Sequence, residues 1–223
     1  MLAYNAVNLP ARELAAAFSK ETGHQVTFTF GSPGPVTDRL KAGEAVDLVI
    51  MATEAAAARD ALWHPGSRRP LARVGIGLAV REGVRLDLST VELTRKALID
   101  ARSLTLGDAS VGGLSGPNAL KVLANLGITD AVKGKLRPTP NGQELVAAGE
   151  MDIGLYNVSE IPRAKGVVLA GPVPAAVQVY IVYDGAVPLT NPAPEPALAL
   201  LRSLARELTR ATWIKGGLEP VGE

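Results

Sequence analysis

A short sequence pattern occurs twice in this chain and constrains its fold more than any other feature. The segment LKAGEAVDL (residues 40–48) recurs, one residue shorter, as VAAGEMDI (residues 146–153). Each copy predicts a helix that ends at a glycine, Gly43 or Gly149, because glycine adopts the left-handed conformation of a helix C-terminus without the steric cost of a Cβ atom. A buried strand follows each glycine. The repetition predicts two similar α/β lobes with a ligand cleft between them. The alternative is convergence of two unrelated helix–strand junctions on the same cap chemistry.

Apolar spacing predicts that strands and helices alternate along the first part of the chain. The predicted elements are strands at residues 1–5, 26–30 and 46–51 and helices at residues 11–20, 35–42 and 54–62. This order is typical of a mostly parallel sheet flanked by helices. Two β-prone runs, residues 73–81 and 178–183, are interpreted as two crossing strands that act as a hinge between the lobes. The predicted boundaries are residues 1–78 and 184–223 for a discontinuous lobe 1, and residues 79–183 for lobe 2.

Composition narrows the classes of partner and cofactor. The net charge is +1, which predicts no broad basic face and therefore no nucleic-acid partner. The cationic cluster of Arg68, Arg69 and Arg73 is interpreted as part of a solvated loop. The chain has no cysteine, which excludes disulfides and thiolate chemistry, and its two histidines, His24 and His64, lie in turns. We therefore predict no metal site and no cofactor.

The ends and the apolar runs of the sequence bear on localisation. No apolar run has the length of a membrane span, so direct membrane insertion is not expected. No basic segment or cleavage motif precedes the first predicted strand. Two localisations stay open: the chain is periplasmic if a leader has been removed, and cytoplasmic if Met1 is the native start.

Four loops that lead into helices are rich in Gly, Ser, Asn or Pro. They are Asn5-Ala-Val-Asn8, Gly31-Ser-Pro-Gly34, Gly113-Leu-Ser-Gly116 and Asn141-Gly-Gln143. In a parallel sheet such loops lie at the carboxyl ends of the strands, on the ligand-binding edge. Helix N-termini present peptide N–H groups and partial positive charge, so several of them at one place form an anion site without any lysine or arginine. The alternative is that these loops are ordinary capped turns.

The candidate binding residues come from these loops and from the ends of two strands. They are Asn5, Ala6, Gly31, Ser32, Gly34, Asp108, Ser115, Gly116, Asn141, Gly142, Tyr156 and Asn157. Tyr156 is expected to close the cavity and donate a phenolic hydrogen bond, or else to be a core tyrosine. Asp108 orients donors or caps a turn. The segment Gly113-Leu-Ser-Gly-Pro117 resembles a nucleophile elbow but lacks the final glycine, and no histidine is placed to activate its serine, so no catalytic residue is assigned.

Several of these segments resemble the periplasmic molybdate-binding protein family of ABC importers. The resemblance is carried by TGHQVTFTFGS (residues 22–32), LKAGEAVDLVI (40–50), Gly107-Asp108, Ser115-Gly116 and GLYNVSE (154–160). It implies a two-lobed, type II periplasmic-binding-protein-like fold whose lobes close on the ligand by hinge motion. It also implies a small anionic ligand, held by serine hydroxyls, peptide N–H groups at helix starts and one tyrosine. The partner that it implies is the membrane component of an ABC transporter.

The match to that family differs from site to site. The family's third and fourth loops correspond to Ser115 and to Asn141-Gly142, and the family tyrosine corresponds to Tyr156. Ala6 stands where the family has its first binding serine, and Ser32 is followed by Pro33, which has no N–H to donate. These differences resemble a molybdate-binding-like subgroup that also includes an aconitate isomerase. A small organic carboxylate would suit the same helix starts.

Three functions follow from the sequence. The first is binding of a small anion, either a molybdate-like oxyanion or a small carboxylate, by the solute-binding component of an ABC-type transport system or a soluble relative of one. The second is an isomerase of a small unsaturated tricarboxylate, with Asp108, Tyr156 or Ser115 as acid or base. The third is a cytoplasmic sensor that acts through a separate partner.

Overall fold

A computed structural model describes residues 1–109 and 113–221 of the chain. The strands are β1 (Leu2–Tyr4), β2 (Thr29–Gly31), β3 (Val49–Ala52), β4 (Arg69–Val74), β5 (Ile76–Arg81), β6 (Leu104–Leu106), β7 (Leu136–Pro138), β8 (Ile153–Asn157), β9 (Val167–Pro172), β10 (Ile181–Ala186) and β11 (Glu219–Pro220). The α-helices are α1 (Asn8–Thr22), α2 (Pro33–Lys41), α3 (Thr53–Ala57), α4 (Val91–Asp100), α5 (Ser115–Asn125), α6 (Thr129–Val132), α7 (Gly142–Ala148), α8 (Glu195–Leu204) and α9 (Arg210–Lys215). The predicted α/β class is confirmed.

The chain divides into two compact units. Unit 1 consists of Met1–Arg73 and Ile181–Glu223, and unit 2 consists of Val74–Tyr180. Unit 1 contains a six-stranded sheet in the order β11-β4-β10-β3-β1-β2. Unit 2 contains a five-stranded sheet in the order β7-β6-β8-β5-β9.

Each sheet has a parallel part and an antiparallel part. In unit 1, β1 runs parallel to β2 and β3, while β10 runs antiparallel to β3. In unit 2, β6 runs parallel to β7 and β8, while β5 runs antiparallel to β8 and β9. The strand order β2-β1-β3-β10 of unit 1 therefore matches the order β7-β6-β8-β5 of unit 2. The repeated sequence supplies equivalent strands, β3 and β8, and its prediction of two similar α/β lobes is confirmed.

The repeated glycines have the conformation that the pattern predicts. Gly43 has φ +75° after α2, and Gly149 has φ +79° after α7. Helix α1 ends in the same way at Gly23, whose N–H donates to the carbonyl of Ser19. In L-residues the Cβ atom disfavours this region, so glycine fixes where each of these helices stops.

The run of residues 73–81, expected to be one crossing strand, is two strands in different sheets. β4 pairs with β11, and β5 pairs with β8 and β9. Gly75 separates β4 from β5, and a Cβ there would lie 2.6 Å from the Gln178 amide. Gln178 accepts a hydrogen bond from the N–H of Ile76 (2.7 Å) and donates to the carbonyls of Ile76 (2.9 Å) and Val173 (3.2 Å). The Gln178 side chain therefore joins the start of β5 to the segment of residues 173–178, close to the C-terminal end of unit 2.

Two other elements are shorter than the sequence predicts, and a third begins later. β2 begins at Thr29, so residues 26–28 are not part of the strand. Helix α3 ends at Ala57, although the alanine-rich composition predicts a helix to residue 62. β10 spans Ile181–Ala186 instead of the predicted 178–183, and Gln178 lies before the strand.

The interpretation of Arg68, Arg69 and Arg73 as a solvated loop is wrong for two of the three arginines. Arg69 and Arg73 belong to β4. Arg68 donates to Asp60 and, over 2.8 Å, to the carboxylate of Asp184, which is only 1% exposed. A buried carboxylate requires such a partner, since an unpaired buried charge is costly.

Candidate functional site

In unit 1, the loops after β1 and β2 leave the sheet side by side. Tyr4 pairs with Gly31 in the parallel register, so the next residues, Asn5 and Ser32, start from adjacent strands. Adjacent strands lie about 4.8 Å apart. This register agrees with the prediction that the candidate residues of unit 1 lie together at the carboxyl end of the two strands. They are Asn5, Ala6, Gly31, Ser32 and Gly34.

The start of α2 offers few peptide donors. Its first and third residues, Pro33 and Pro35, have no N–H. Ser32 occupies the N-cap position without a side-chain hydrogen bond to the helix, and its hydroxyl has no partner among the described residues. A Cβ at Gly34 would meet no atom within 4 Å, so the backbone there faces open space. Ser32 and Gly34 are the donors of this loop.

In unit 2, the start of α5 packs directly on the end of β6. A Cβ at Gly107 would lie 2.5 Å from Ser115 Oγ and 3.4 Å from the nitrogen of Gly116, and a Cβ at Gly116 would overlap the carbonyl of Gly107. Ser115 and Gly116 are the first residues of α5, and such N–H groups have no partner inside the helix. The Ser115 hydroxyl, in a residue only 7% exposed, has no partner among the described residues. The N–H groups of Ser115 and Gly116 and the Ser115 hydroxyl together form a compact set of hydrogen-bond donors, here called the donor group.

The start of α7 packs against the neighbouring strands at the same sheet edge. A Cβ at Gly142 would lie 2.5 Å from Thr105 Oγ1 and would overlap the Tyr156 hydroxyl. The Tyr156 hydroxyl lies 3.5 Å from Thr105 Oγ1, and its ring covers Gly154 so closely that a Cβ there would overlap it. Only glycine therefore fits at the helix start beside this tyrosine.

The two helix starts contact β6 and its end at different residues: α7 contacts Thr105, whereas α5 contacts Leu106 and Gly107. Thr105, which contacts Gly142 and Tyr156, is two residues before Gly107, which contacts Ser115. Within unit 2, the structure therefore places Ser115 and Gly116 against the end of β6, and Gly142 and Tyr156 beside Thr105.

The Tyr156 hydroxyl is poised to donate. Burial raises its pKa above the ordinary value, the nearby charges of Glu160 and Glu144 raise it further, and the hydrogen bond with Thr105 lowers it. The phenol is therefore neutral at physiological pH. Its ring packs in an apolar cluster that includes Val146 and Ile161, so Tyr156 is both a core residue and a donor at the sheet edge. In unit 1, burial likewise raises the pKa of Tyr4, which ends β1.

The remaining predicted residues of unit 2 lie around this edge. Asn157 ends β8 and is 3% exposed, and its amide oxygen has no partner among the described residues. Asn141 is exposed and accepts a hydrogen bond from the Thr139 hydroxyl at 2.6 Å. Asp108 is half-buried directly after Gly107.

A cavity of about 540 Å³ adjoins Tyr156 on the α7 side. Its lining includes Asn141, Gln143, Glu144, Glu160 and Lys165. Two carboxylates and one ammonium group make this cavity a poor place for an anion. The donor group at α5 and β6 suits an anion better.

Sequence reasoning missed Thr105 and Gly107. Thr105 is fully buried between two leucines of β6, and a polar residue in so short an apolar strand is the signal that could have singled it out. Gly107 follows the strand, where a glycine permits the close approach of a helix start. In the part of the chain that the structure describes, no helix combines the length and apolar character needed to cross a membrane.

Comparison with known proteins identifies the class. Residues 1–219 match the family model described as bacterial extracellular solute-binding protein. The chain therefore belongs to that family of solute-binding proteins.

Individual relatives agree with this assignment. A molybdate-binding protein of Rhodobacter capsulatus is 25% identical over 168 residues, which cover 70% of this chain and 63% of that protein. An aconitate isomerase of a Pseudomonas species is 29% identical over 221 residues, which cover 94% of this chain and 83% of the isomerase. The resemblance to molybdate-binding proteins is confirmed, and so is the aconitate isomerase among the relatives.

Solved structures establish the fold. The periplasmic molybdate-binding protein of Azotobacter vinelandii superposes with a TM-score of 0.76 at 21% identity, covering 100% of this chain and 98% of that one. The sulfate-binding protein SubI of Mycobacterium tuberculosis superposes with a TM-score of 0.72 at 17% identity, covering 99% of this chain and 85% of that one. The fold is that of a periplasmic binding protein with two α/β units.

Proposed function

We propose that this chain binds a small anion and serves as the solute-binding component of an ABC-type importer. The observation that carries the proposal is the donor group at the start of α5, where Ser115 and Gly116 pack on Gly107. The loops of unit 1 supply fewer donors, from Ser32 and Gly34. That both groups bind the same ligand, and that the units close on it, stay predictions from the sequence.

The donor set favours a small carboxylate over a tetrahedral oxyanion. Ala6 offers no hydroxyl, and Pro33 and Pro35 offer no N–H, so unit 1 has fewer groups to satisfy four oxygens.

Ligand binding is tested by calorimetric titration with molybdate, tungstate, sulfate and small polycarboxylates. Removing one donor to a charged acceptor costs about 1.5–3 kcal/mol, which weakens binding by about 10- to 100-fold. We expect this loss for Ser115→Ala and no change for the control Ser203→Ala, a half-buried serine of α8 in unit 1. Absence of binding by all of these anions, or equal behaviour of both variants, would contradict the proposal.

A second candidate is isomerisation of a small unsaturated tricarboxylate. The specific observation in its favour is the similarity to an aconitate isomerase over 94% of this chain. The raised pKa of Tyr156 suits an acid or a hydrogen-bond donor and not a base at neutral pH. No histidine is placed to activate Ser115, so this mechanism assigns proton abstraction to Asp108. The proton then returns to a different carbon of the allylic anion, which gives the isomer.

Incubation with cis-aconitate followed by chromatography for the trans isomer tests the second candidate. Conversion that Asp108→Asn abolishes, with calorimetric binding of cis-aconitate retained, would support isomerisation. Binding of cis-aconitate without conversion would leave solute binding as the function.

A further inference from the structure

Unit 1 contains a polar cavity of its own, formed by elements that take no part in the proposed anion site. Its volume is about 550 Å³, and it lies among the start of β4, the C-terminal end of α8, the segment that leads into α9, and the residues around β11. Four arginines line it: Arg69, Arg202, Arg206 and Arg210. Glu207 is the one acidic residue among those lining it.

The backbone around this cavity is held by specific contacts. The Thr209 hydroxyl and the Trp213 indole N–H both donate to the carbonyl of Leu204, at 3.0 and 3.1 Å. On the opposite wall, the N–H of Val221 donates to the carbonyl of Leu71 at 3.2 Å, next to the pairing of β11 with β4. These contacts fix the elements that carry the arginines, so the cavity is a built feature of unit 1.

The positive charge in the cavity is only partly balanced. Glu207 pairs with Arg210 at 3.2 Å, and Glu21 approaches Arg206 at 3.9 Å. Among the described residues, neither Arg69 nor Arg202 has an ion pair. The cavity therefore carries an excess of positive charge, which attracts an anion.

The helix dipole does not explain the whole cluster. Arg202 lies in the last turn of α8, where exposed carbonyls attract a cation. Arg69 comes from β4 and Arg210 from α9, so the cluster collects side chains from separate elements. Planar guanidinium groups bind phosphate and carboxylate oxygens in pairs, and several of them around one cavity match an anion with several charged groups.

We propose that this arginine cavity binds a small multivalent oxyanion that carries at least two adjacent phosphate or carboxylate groups. Arg69 and Arg202 supply guanidinium groups that have no carboxylate partner among the described residues, and Arg206 and Arg210 add further positive charge. The site is separate from the donor group at Ser115 and does not depend on the proposed function.

Trp213 lines the cavity, so its fluorescence can report on binding there. The chain has one other tryptophan, Trp63, and replacing it leaves Trp213 as the only source of tryptophan fluorescence. Fluorescence of a Trp63→Phe protein is titrated with inorganic pyrophosphate, citrate and orthophosphate at constant ionic strength. We expect saturable changes with pyrophosphate or citrate and weaker binding of orthophosphate. The pyrophosphate and citrate arms distinguish a phosphate from a carboxylate ligand.

Variants assign the effect to the cavity. Arg202→Gln and Arg69→Gln should each weaken binding by at least 10-fold. Arg95→Gln, which removes an exposed charge from α4 of unit 2, should leave it unchanged, and so should Ser115→Ala. Circular dichroism confirms that each variant is folded. No saturable response, or an equal loss in Arg95→Gln, overturns the proposal.

Discussion

Replacing Gly142 by alanine tests the packing on which the unit 2 site depends. The added methyl group would lie 2.5 Å from Thr105 Oγ1 and would overlap the Tyr156 hydroxyl. Thr105 is 0% exposed and Tyr156 is 5% exposed, so neither side chain can move aside into solvent. Overpacking of this kind costs about 1–3 kcal/mol. Replacing glycine by alanine stabilises a helix interior by up to about 1 kcal/mol, but the gain is smaller at Gly142, the first residue of α7. We expect a net loss of about 1–2 kcal/mol.

A second substitution shows whether the Tyr156 hydroxyl is the cause. Tyr156→Phe removes that atom and by itself costs about 0.5–1.5 kcal/mol for the lost hydrogen bond. In the double variant the added methyl group no longer meets the Tyr156 hydroxyl. The double variant should therefore lose less stability than the sum of the two single variants, by about 0.5 kcal/mol or more.

The assay is urea unfolding followed by far-UV circular dichroism, with native-state hydrogen exchange at the amides of β6 and β8. Both tryptophans, Trp63 and Trp213, lie in unit 1, so their fluorescence reports on the other unit. Gly134→Ala is the matched control, because a Cβ there meets no atom within 4 Å. Additive losses in the double variant, or a loss in Gly134→Ala equal to that in Gly142→Ala, would refute the reasoning.

Three further substitutions probe other parts of the fold. Gln178→Leu should lower the free energy of unfolding by about 1–3 kcal/mol, measured by hydrogen exchange in β5, because it leaves peptide groups there without partners. Thr53→Val should cost about 1.5–3 kcal/mol, measured by tryptophan fluorescence in urea, because it removes a 2.6 Å hydrogen bond to the Asp184 carboxylate. The Arg102 guanidinium lowers the pKa of Asp152 in the folded protein. The stabilisation that this ion pair gives to the folded state is therefore present above about pH 4 and is lost as the pH falls further. The stability difference between the wild type and Arg102→Gln should therefore shrink as the pH falls from about 5 to about 2, and an unchanged difference would contradict that pairing.

Local determinants made much of the fold predictable. The alternation of helices and strands follows from apolar spacing, and the helix ends at Gly43 and Gly149 follow from a conformation that glycine alone adopts easily. Donor-rich helix starts were also visible, because the residues after β1, β2, β6 and β7 are small or polar. These features depend on residues close together in the chain.

Long-range pairing accounts for what the sequence did not reveal. Residues 73–81 have uniform strand character, yet β4 and β5 separate at Gly75 because each finds its partners in a different sheet. The ion pair of Arg68 with Asp184 joins segments that share no local pattern. Thr105 gains its place in the site only through contacts with Gly142 and Tyr156, which later segments bring to it.

If both units bind one ligand, as proposed, the uneven distribution of donors between them predicts a ligand preference. Each oxygen of a tetrahedral oxyanion needs donors on its own side, whereas a carboxylate concentrates its acceptors on two oxygens. Unit 2 keeps the hydroxyls of Ser115 and Tyr156, while unit 1 has Ala6 and two prolines at the start of α2. We therefore expect small carboxylates to bind more tightly than molybdate in the same titration, and restoring a serine by Ala6→Ser should narrow that difference.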